Sequence, residues 1–155
     1  MFTLVSSGTT RIHPGEAHVT PSRYVVHVVL RDNAGGIWWA ADAHLISKAW
    51  TDHPERRPRW IAGIEAVAAA VATLREQYPD AVGIVAGDFN RGGRFPELAA
   101  HGGVWAAPTN PRAAGLVKYD QIVIYGPAAA SPPVYLDTRS DHKAVRVTIE
   151  RTHPQ

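Results

Sequence analysis

From Trp60 to Tyr78 the chain carries apolar residues at helical spacing, and an apolar strand follows after nothing more than Pro79-Asp80. Ile61, Ile64, Val67, Val71, Leu74 and Tyr78 fall three and four residues apart, which predicts a helix with one apolar face. Alanines fill much of the remainder and favour helix. The strand predicted over Val82 to Ala86 runs straight into Gly87-Asp88-Phe89-Asn90. A helix that must bury a stripe, tied by so short a connection to a buried strand, has to lie on the sheet containing that strand. The order therefore predicts a layered α/β domain.

The rest of the chain supplies strands for that sheet. Thr3-Leu4-Val5 predicts a short strand, followed by a loop rich in Ser, Thr, Gly and Pro to about Ser22. Tyr24 to Leu30 and Ile37 to His44 predict two strands joined through the turn signal Asp32-Asn33-Ala34-Gly35-Gly36, a β-hairpin. Adjacent Trp38 and Trp39 must point to opposite faces, so the second strand is covered on both sides. Ser47 to Arg59, with Pro54 and Pro58, predicts a loop, and Arg94 to His101 a short helix ended at Gly102-Gly103. Gln121 to Tyr125 predicts a strand, Gly126 to Pro133 a loop and Ala144 to Ile149 a final strand. No repeat or linker divides the 155 residues, which predicts one domain over 1–155.

Composition removes several classes of chemistry. Without cysteine there is no disulfide, thiolate zinc site or thiol nucleophile. The longest apolar stretch, around Val67 to Val71, is too short and too polar for a membrane span, and no signal peptide is read at the N-terminus, so a soluble cytoplasmic chain is expected. The formal net charge of +2 tolerates a polyanionic partner without identifying one.

Four polar clusters sit at or near predicted strand ends: Asp42-Ala43-His44, Gly87-Asp88-Phe89-Asn90, Tyr119-Asp120-Gln121 and Ser140-Asp141-His142. Loops held by a rigid sheet are where sites are built. Asp can hold a metal or take a proton, whereas Asn can donate to a phosphoryl oxygen without ionising. In extended chain Asp88 and Asn90 point the same way and converge on one point. Each cluster alone has a plainer reading: a turn in which Asp and Asn bond their own backbone, a core histidine, a solvated charge. The Asp88 and Asn90 pairing suggests hydrolysis of a phosphate ester, and the four clusters taken together in order favour a functional site over the plainer readings.

Taken in order, Ala43-His44-Leu45, the helix Trp60 to Tyr78, the strand into Gly87-Asp88-Phe89-Asn90, Lys118-Tyr119-Asp120-Gln121-Ile122 and Ser140-Asp141-His142-Lys143-Ala144-Val145 resemble the endonuclease/exonuclease/phosphatase superfamily, over about residues 24–149. The resemblance implies a DNase I-like four-layer α/β/β/α sandwich. It implies a metal-dependent phosphodiesterase, a nuclease as the favoured guess, with Mg2+ or alternatively Mn2+ as cofactor. Asp141 would be a metal ligand; Asp88 would orient or deprotonate the attacking water and touch the metal. Asn90 would bind a phosphoryl oxygen, His142 held by Asp120 would contact phosphate or move a proton, and His44 would stabilise the phosphate or protonate the leaving oxygen. These roles match what in-line displacement at phosphorus needs.

The family's first-strand Asn and metal-binding Glu have no counterpart before Thr20, and Glu16 reads as a loop carboxylate. A shortened functional variant, a second chain or second copy that completes the sandwich, and an excised or degenerate fragment all accommodate that difference. The chain is thus expected to be either the enzyme or a catalytically inactive binding or assembly module of the same fold. A phosphatase acting on a small-molecule or lipid phosphoester is a further alternative. Asp42 lies on the His44 face and reads as a salt-bridge partner or a compensating carboxylate. Arg91, Arg94, Arg112, Lys118, Arg139 and Lys143 surround the clusters and read either as a basic rim for phosphates or as solvated charges. Trp50 and Trp105 read either as base-stacking platforms or as buried anchors.

Overall fold

The helix and the strand after it pack as the spacing requires. In the computed structural model, which describes residues 1–15, 17, 20–107, 119–139, 142 and 144–152, helix α1 spans Arg57–Gln77 and strand β4 spans Val82–Asp88. Pro58 falls in the first turn of α1, where its missing N–H costs nothing, so it opens the helix and does not break the chain there. The buried face is Trp60, Gly63, Ile64, Val67, Ala68, Val71 and Leu74. Ile61, read as part of that face, is 41% exposed, because Trp60 takes the inward position one residue earlier.

Six strands form one sheet in the order β1-β2-β3-β4-β6-β5. They are β1 (Phe2–His13), β2 (Arg23–Asp32), β3 (Ile37–Ala43), β4, β5 (Val104–Ala107) and β6 (Asp120–Tyr125). Only β3 and β4 pair in parallel, through the α1 crossover; the other pairs are antiparallel. The β2–β3 hairpin closes on Asp32, whose carboxylate accepts the N–H groups of Ala34 and Gly36 and the Trp38 indole. Strand β1 is four times the length read from Thr3-Leu4-Val5, because the Ser/Thr-rich stretch pairs with β2 as far as His13 despite two register shifts.

The face under α1 is the core: Val25, Val29, Trp39, Ala41, Ala43, Val85, Val123 and Tyr125 are buried there with the helix residues. Trp38, on the opposite face, stays partly exposed and meets Phe2 edge-on. On that second face two short ribbons lie over the β4–β6–β5 side: β7 (Ala128–Ala130) with β10 (Ile149–Arg151), and β8 (Val134–Leu136) with β9 (Ala144–Arg146). Strand β7 thus occupies what the sequence suggested was a loop, and the expected strand over 144–149 is two strands broken after Arg146. Over β1 and β2 the same face leaves Phe2, Leu4, Tyr24 and Val26 exposed. Helix α2 (Pro96–Ala99) packs beside α1, so among the described residues the layers are helix, sheet and a partial second sheet. This is the α/β architecture expected from the sequence, in incomplete form. No described helix is long and apolar enough to cross a membrane.

Candidate functional site

Strand register creates the site. Asp88 closes β4 and Asp120 opens the antiparallel β6, and the two are direct cross-strand partners. Side chains opposite each other on neighbouring strands share a face, so two carboxylates meet at the sheet edge. Alternation along β3 brings Asp42 and then His44 to that same face, one strand further over. The His44 Nε2 lies 3.6 Å from Asp88 Oδ2, an ion-pair distance too long for a hydrogen bond.

A further member, His142, arrives from the chain after β8. His142 Nδ1 and Asp120 Oδ2 are 2.5 Å apart, so the carboxylate fixes which ring nitrogen carries the proton. Ligand-type atoms of Asp88, Asp120 and His142 all lie within 4.8 Å of one another. Their surroundings are half-buried, and a cleft of about 230 Å³ lined by Ala86, Asp120, Ile122, His142 and Ala144 opens beside them.

The turn after Asp88 is built by the same residues. Gly87 has φ 149°, and a Cβ there would come within 2.0 Å of the Ala43 carbonyl oxygen, so only glycine lets β4 run this close to the end of β3. Asn90 adopts φ 53°, a left-handed conformation that Asn tolerates. Its N–H donates to Asp88 Oδ1 at 2.8 Å, and its side-chain amide donates to the Leu45 carbonyl at 2.9 Å. The expectation of an extended Asp88–Asn90 pair is therefore corrected. The segment is a turn, closed on Asp88, with one Asn90 N–H committed to the loop after β3. Leu45 N–H in return donates to the Asp88 carbonyl.

Asp42 and His44 are both exposed, yet partial desolvation at the sheet edge is the largest influence on each. Desolvation, followed by the positive charge of Arg23, pushes the His44 imidazole below its ordinary value, against the pull of Asp88, Asp42 and Asp120. Desolvation raises Asp42, partly offset by His44. The neutral form of His44 is thereby favoured near neutral pH.

Of the residues read as site members, His44, Asp88, Asn90, Asp120 and His142 come together. Asp141, Lys143, Arg112 and Lys118 lie outside the described residues, as does Glu16. Arg91 and Arg94 turn to aromatic rings instead of an open rim. The Arg91 guanidinium stacks 3.9 Å from the Trp50 ring centroid, and Arg94 lies 5.9 Å from that of Trp105. Arg139 is exposed. Trp50 packs on Trp60 and between Arg57 and Arg91, and Trp105 donates to Gln121, so both tryptophans are anchors in this structure. Three residues around the turn went unassigned from sequence. Trp60 donates to the Phe89 carbonyl at 2.7 Å, Gln121 to the Arg91 carbonyl at 3.0 Å, and Arg23 sets part of the field at His44. Only Gln121, polar at a core position of a strand, left a signal that could have found it.

No protein-family model matches the chain, and no curated protein matches it by sequence. Solved structures do match. An endonuclease/exonuclease/phosphatase from Bacteroides vulgatus superposes with a TM-score of 0.68 at 15% identity, covering 97% of this chain and 66% of its own. The human Nocturnin catalytic domain gives 0.70 at 17% identity, covering 97% and 60%. The mannosyl-6-phosphatase Bt3783 of Bacteroides thetaiotaomicron gives 0.68 at 12% identity, covering 96% and 67%. The chain thus spans about two thirds or less of the length of these structures. With nearly its whole length superposed on them, this chain has the endonuclease/exonuclease/phosphatase, DNase I-like fold.

Proposed function

We propose that the chain is a metal-dependent phosphodiesterase, a nuclease that hydrolyses its ester by in-line attack of water. The observation that carries this reading is the convergence of Asp88, Asp120 and His142 within 4.8 Å at one sheet edge, with His44 across Asp88. Two carboxylates of partial exposure are hard oxygen donors, the kind that suits Mg2+ or Mn2+ with water and substrate filling the remaining positions. Asp88, with Asp120 beside it and Asp141 as a further candidate, would hold that ion. When bound it would supply positive charge to the non-bridging oxygens and acidify a water.

The protein's own groups divide the remaining work. Asp88 is held through Oδ1 by the Asn90 amide, leaving Oδ2 to orient the attacking water and take its proton. The second N–H of the Asn90 side chain is the donor available for a phosphoryl oxygen. Asp120 holds His142 through Nδ1, and the imidazole so oriented would contact phosphate or carry a proton. His44, favoured neutral, acts as a hydrogen-bond donor to the phosphate or leaving oxygen. Nucleic acid is the substrate class favoured here, one that the formal net charge of +2 tolerates without identifying.

Purified protein should cleave DNA or bis(p-nitrophenyl) phosphate in Mg2+ and stop on EDTA addition, and Asp88→Ala or His142→Ala should abolish turnover. Activity that survives EDTA, or both substitutions, refutes the proposal. A second reading, a phosphatase acting on a small phosphomonoester, draws support from the likeness to the mannosyl-6-phosphatase. Turnover of p-nitrophenyl phosphate in preference to the diester would select it. A non-catalytic binding or assembly module of the same fold would instead show no turnover in either metal.

A further inference from the structure

Gln121 is 1% exposed, the most deeply buried of the three polar residues, with His13 and Thr20, that are buried among the described residues. It follows Asp120 on β6, so the two side chains leave opposite faces of the same strand end. Its Oε1 accepts the Trp105 indole N–H at 2.7 Å, and its Nε2 donates to the Arg91 carbonyl at 3.0 Å. Indole can only donate and a carbonyl can only accept, so these two partners fix the orientation of the amide without ambiguity. Burying an amide is unfavourable unless it is bonded, and this one spans from β5 to the residue next to Asn90.

The placement has a consequence for the site. Residues 88–91 are tied at several points: Phe89 N–H to the Tyr119 carbonyl, Trp60 to the Phe89 carbonyl, Asn90 to Asp88 and Leu45, and Gln121 to the Arg91 carbonyl. The Gln121 bond fastens the exit of the turn directly to the strand whose first residue holds His142. Strand β6 thus carries one half of the site through Asp120 and clamps the other half through Gln121.

We propose that Gln121, oriented by Trp105, is a positioning residue that sets the Asp88–Asn90 turn against the Asp120–His142 pair. It acts through the turn and touches no substrate. The inference rests on the hydrolytic reading of those four residues. Misplacement of a catalytic group by about 1 Å costs on the order of 100-fold in rate. Losing the clamp should therefore lower kcat about 10- to 100-fold and leave KM nearly unchanged.

Two substitutions test it. Gln121→Glu keeps the shape and the acceptor for Trp105 but turns an acceptor toward the Arg91 carbonyl; Gln121→Met removes both bonds at similar volume. Each is measured for kcat and KM on bis(p-nitrophenyl) phosphate in saturating Mg2+, and for the 15N–1H signal of the Asn90 backbone amide, which reports its bond to Asp88. Both should lose kcat selectively and shift that amide. As pH falls, the rate of Gln121→Glu relative to wild type should recover, because the protonated carboxyl regains a donor for the Arg91 carbonyl; Gln121→Met should not recover. Wild-type kcat in both variants, or an unmoved Asn90 amide, overturns the proposal. Should either variant fail to fold, Trp105→Phe, which frees one end of the amide, carries the same expectations at smaller size. A wild-type protein without turnover refutes the hydrolytic reading alone, and the Asn90 amide then decides the role of Gln121.

Discussion

Replacing Trp60 by Phe should destabilise the protein more than the same change at Trp38, although each removes one indole N–H with a partner. Trp60 is 1% exposed, and its N–H reaches the Phe89 carbonyl at 2.7 Å in the interior, where no water can replace it. Orphaning a buried carbonyl costs about 1–3 kcal/mol. The lost indole ring adds about 1 kcal/mol of transfer and packing energy, since the edge contacts to Trp50 at 5.6 Å and Phe95 at 5.3 Å are only partly kept by a phenyl ring. The sum is about 2–4 kcal/mol, which for a domain of this length lowers Tm by roughly 5–15 °C. At Trp38 the partner is the Asp32 carboxylate, in an exposed turn where water takes over the lost bond. Urea unfolding followed by far-ultraviolet circular dichroism gives both values from one slope-matched series. A Trp60→Phe loss equal to or smaller than that of Trp38→Phe would refute the assignment of the Phe89 carbonyl as a buried acceptor that depends on Trp60.

Three further outcomes follow from the same geometry. The Asp32 carboxyl lies below its ordinary 3.8, held first by the Trp38 indole and then by the Gly36 amide. A depressed carboxyl stabilises the fold above the unfolded value and loses that contribution as pH falls through the folded one, so Asp32→Asn should flatten the acid limb of stability against pH below about 4; an unchanged limb counts against it. Gly87→Ala should cost about 4 kcal/mol or more, because its Cβ would meet the Ala43 carbonyl at 2.0 Å, and a loss under about 1 kcal/mol in urea would show the β3–β4 approach to be looser than described. Arg91→Lys keeps the charge but loses the stacking on Trp50, so it should destabilise nearly as much as Arg91→Ala, by about 1 kcal/mol, without altering the salt dependence of substrate binding. Full stability in the Lys variant together with a flattened salt slope in the Ala variant would return Arg91 to phosphate binding.

The elements legible in the sequence were those whose residues announce their own environment. Helix α1 and strand β4 carry enough apolar side chains to specify a period, and the β2–β3 hairpin is closed by a turn whose Asp32 bonds local amides. Strand β1 was mostly missed because its Ser, Thr and Gly residues show no alternation. It is held in the sheet by its pairing with β2, which a local pattern does not contain. The short strands β5, β7 and β8 were missed for the same reason, as three- or four-residue segments defined only by their partners.

The candidate site divides along the same line. His44, Asp88, Asn90, Asp120 and His142 were legible as polar residues at or near predicted strand ends, ambiguous one by one and read as a site through the order in which they resemble the endonuclease/exonuclease/phosphatase superfamily. The supporting groups were not, because Trp60, Trp105 and Arg91 are each ambiguous until a tertiary partner is known. Arg91 shows how far the partner decides: beside Asn90 it reads as a phosphate ligand, yet two indole rings at 3.9 and 5.1 Å offer its planar cation a drier surface. Stacked there, it presses the turn against α1 while Gln121 holds the same residue's carbonyl to β6. The charge next to Asp88 is thereby turned away from the site, and on the hydrolytic reading proposed above a cation held by Asp88 and Asp120 would supply the positive charge that an attacking water needs. On that arrangement, activity should depend on the added divalent ion far more steeply than on the arginines that flank the turn.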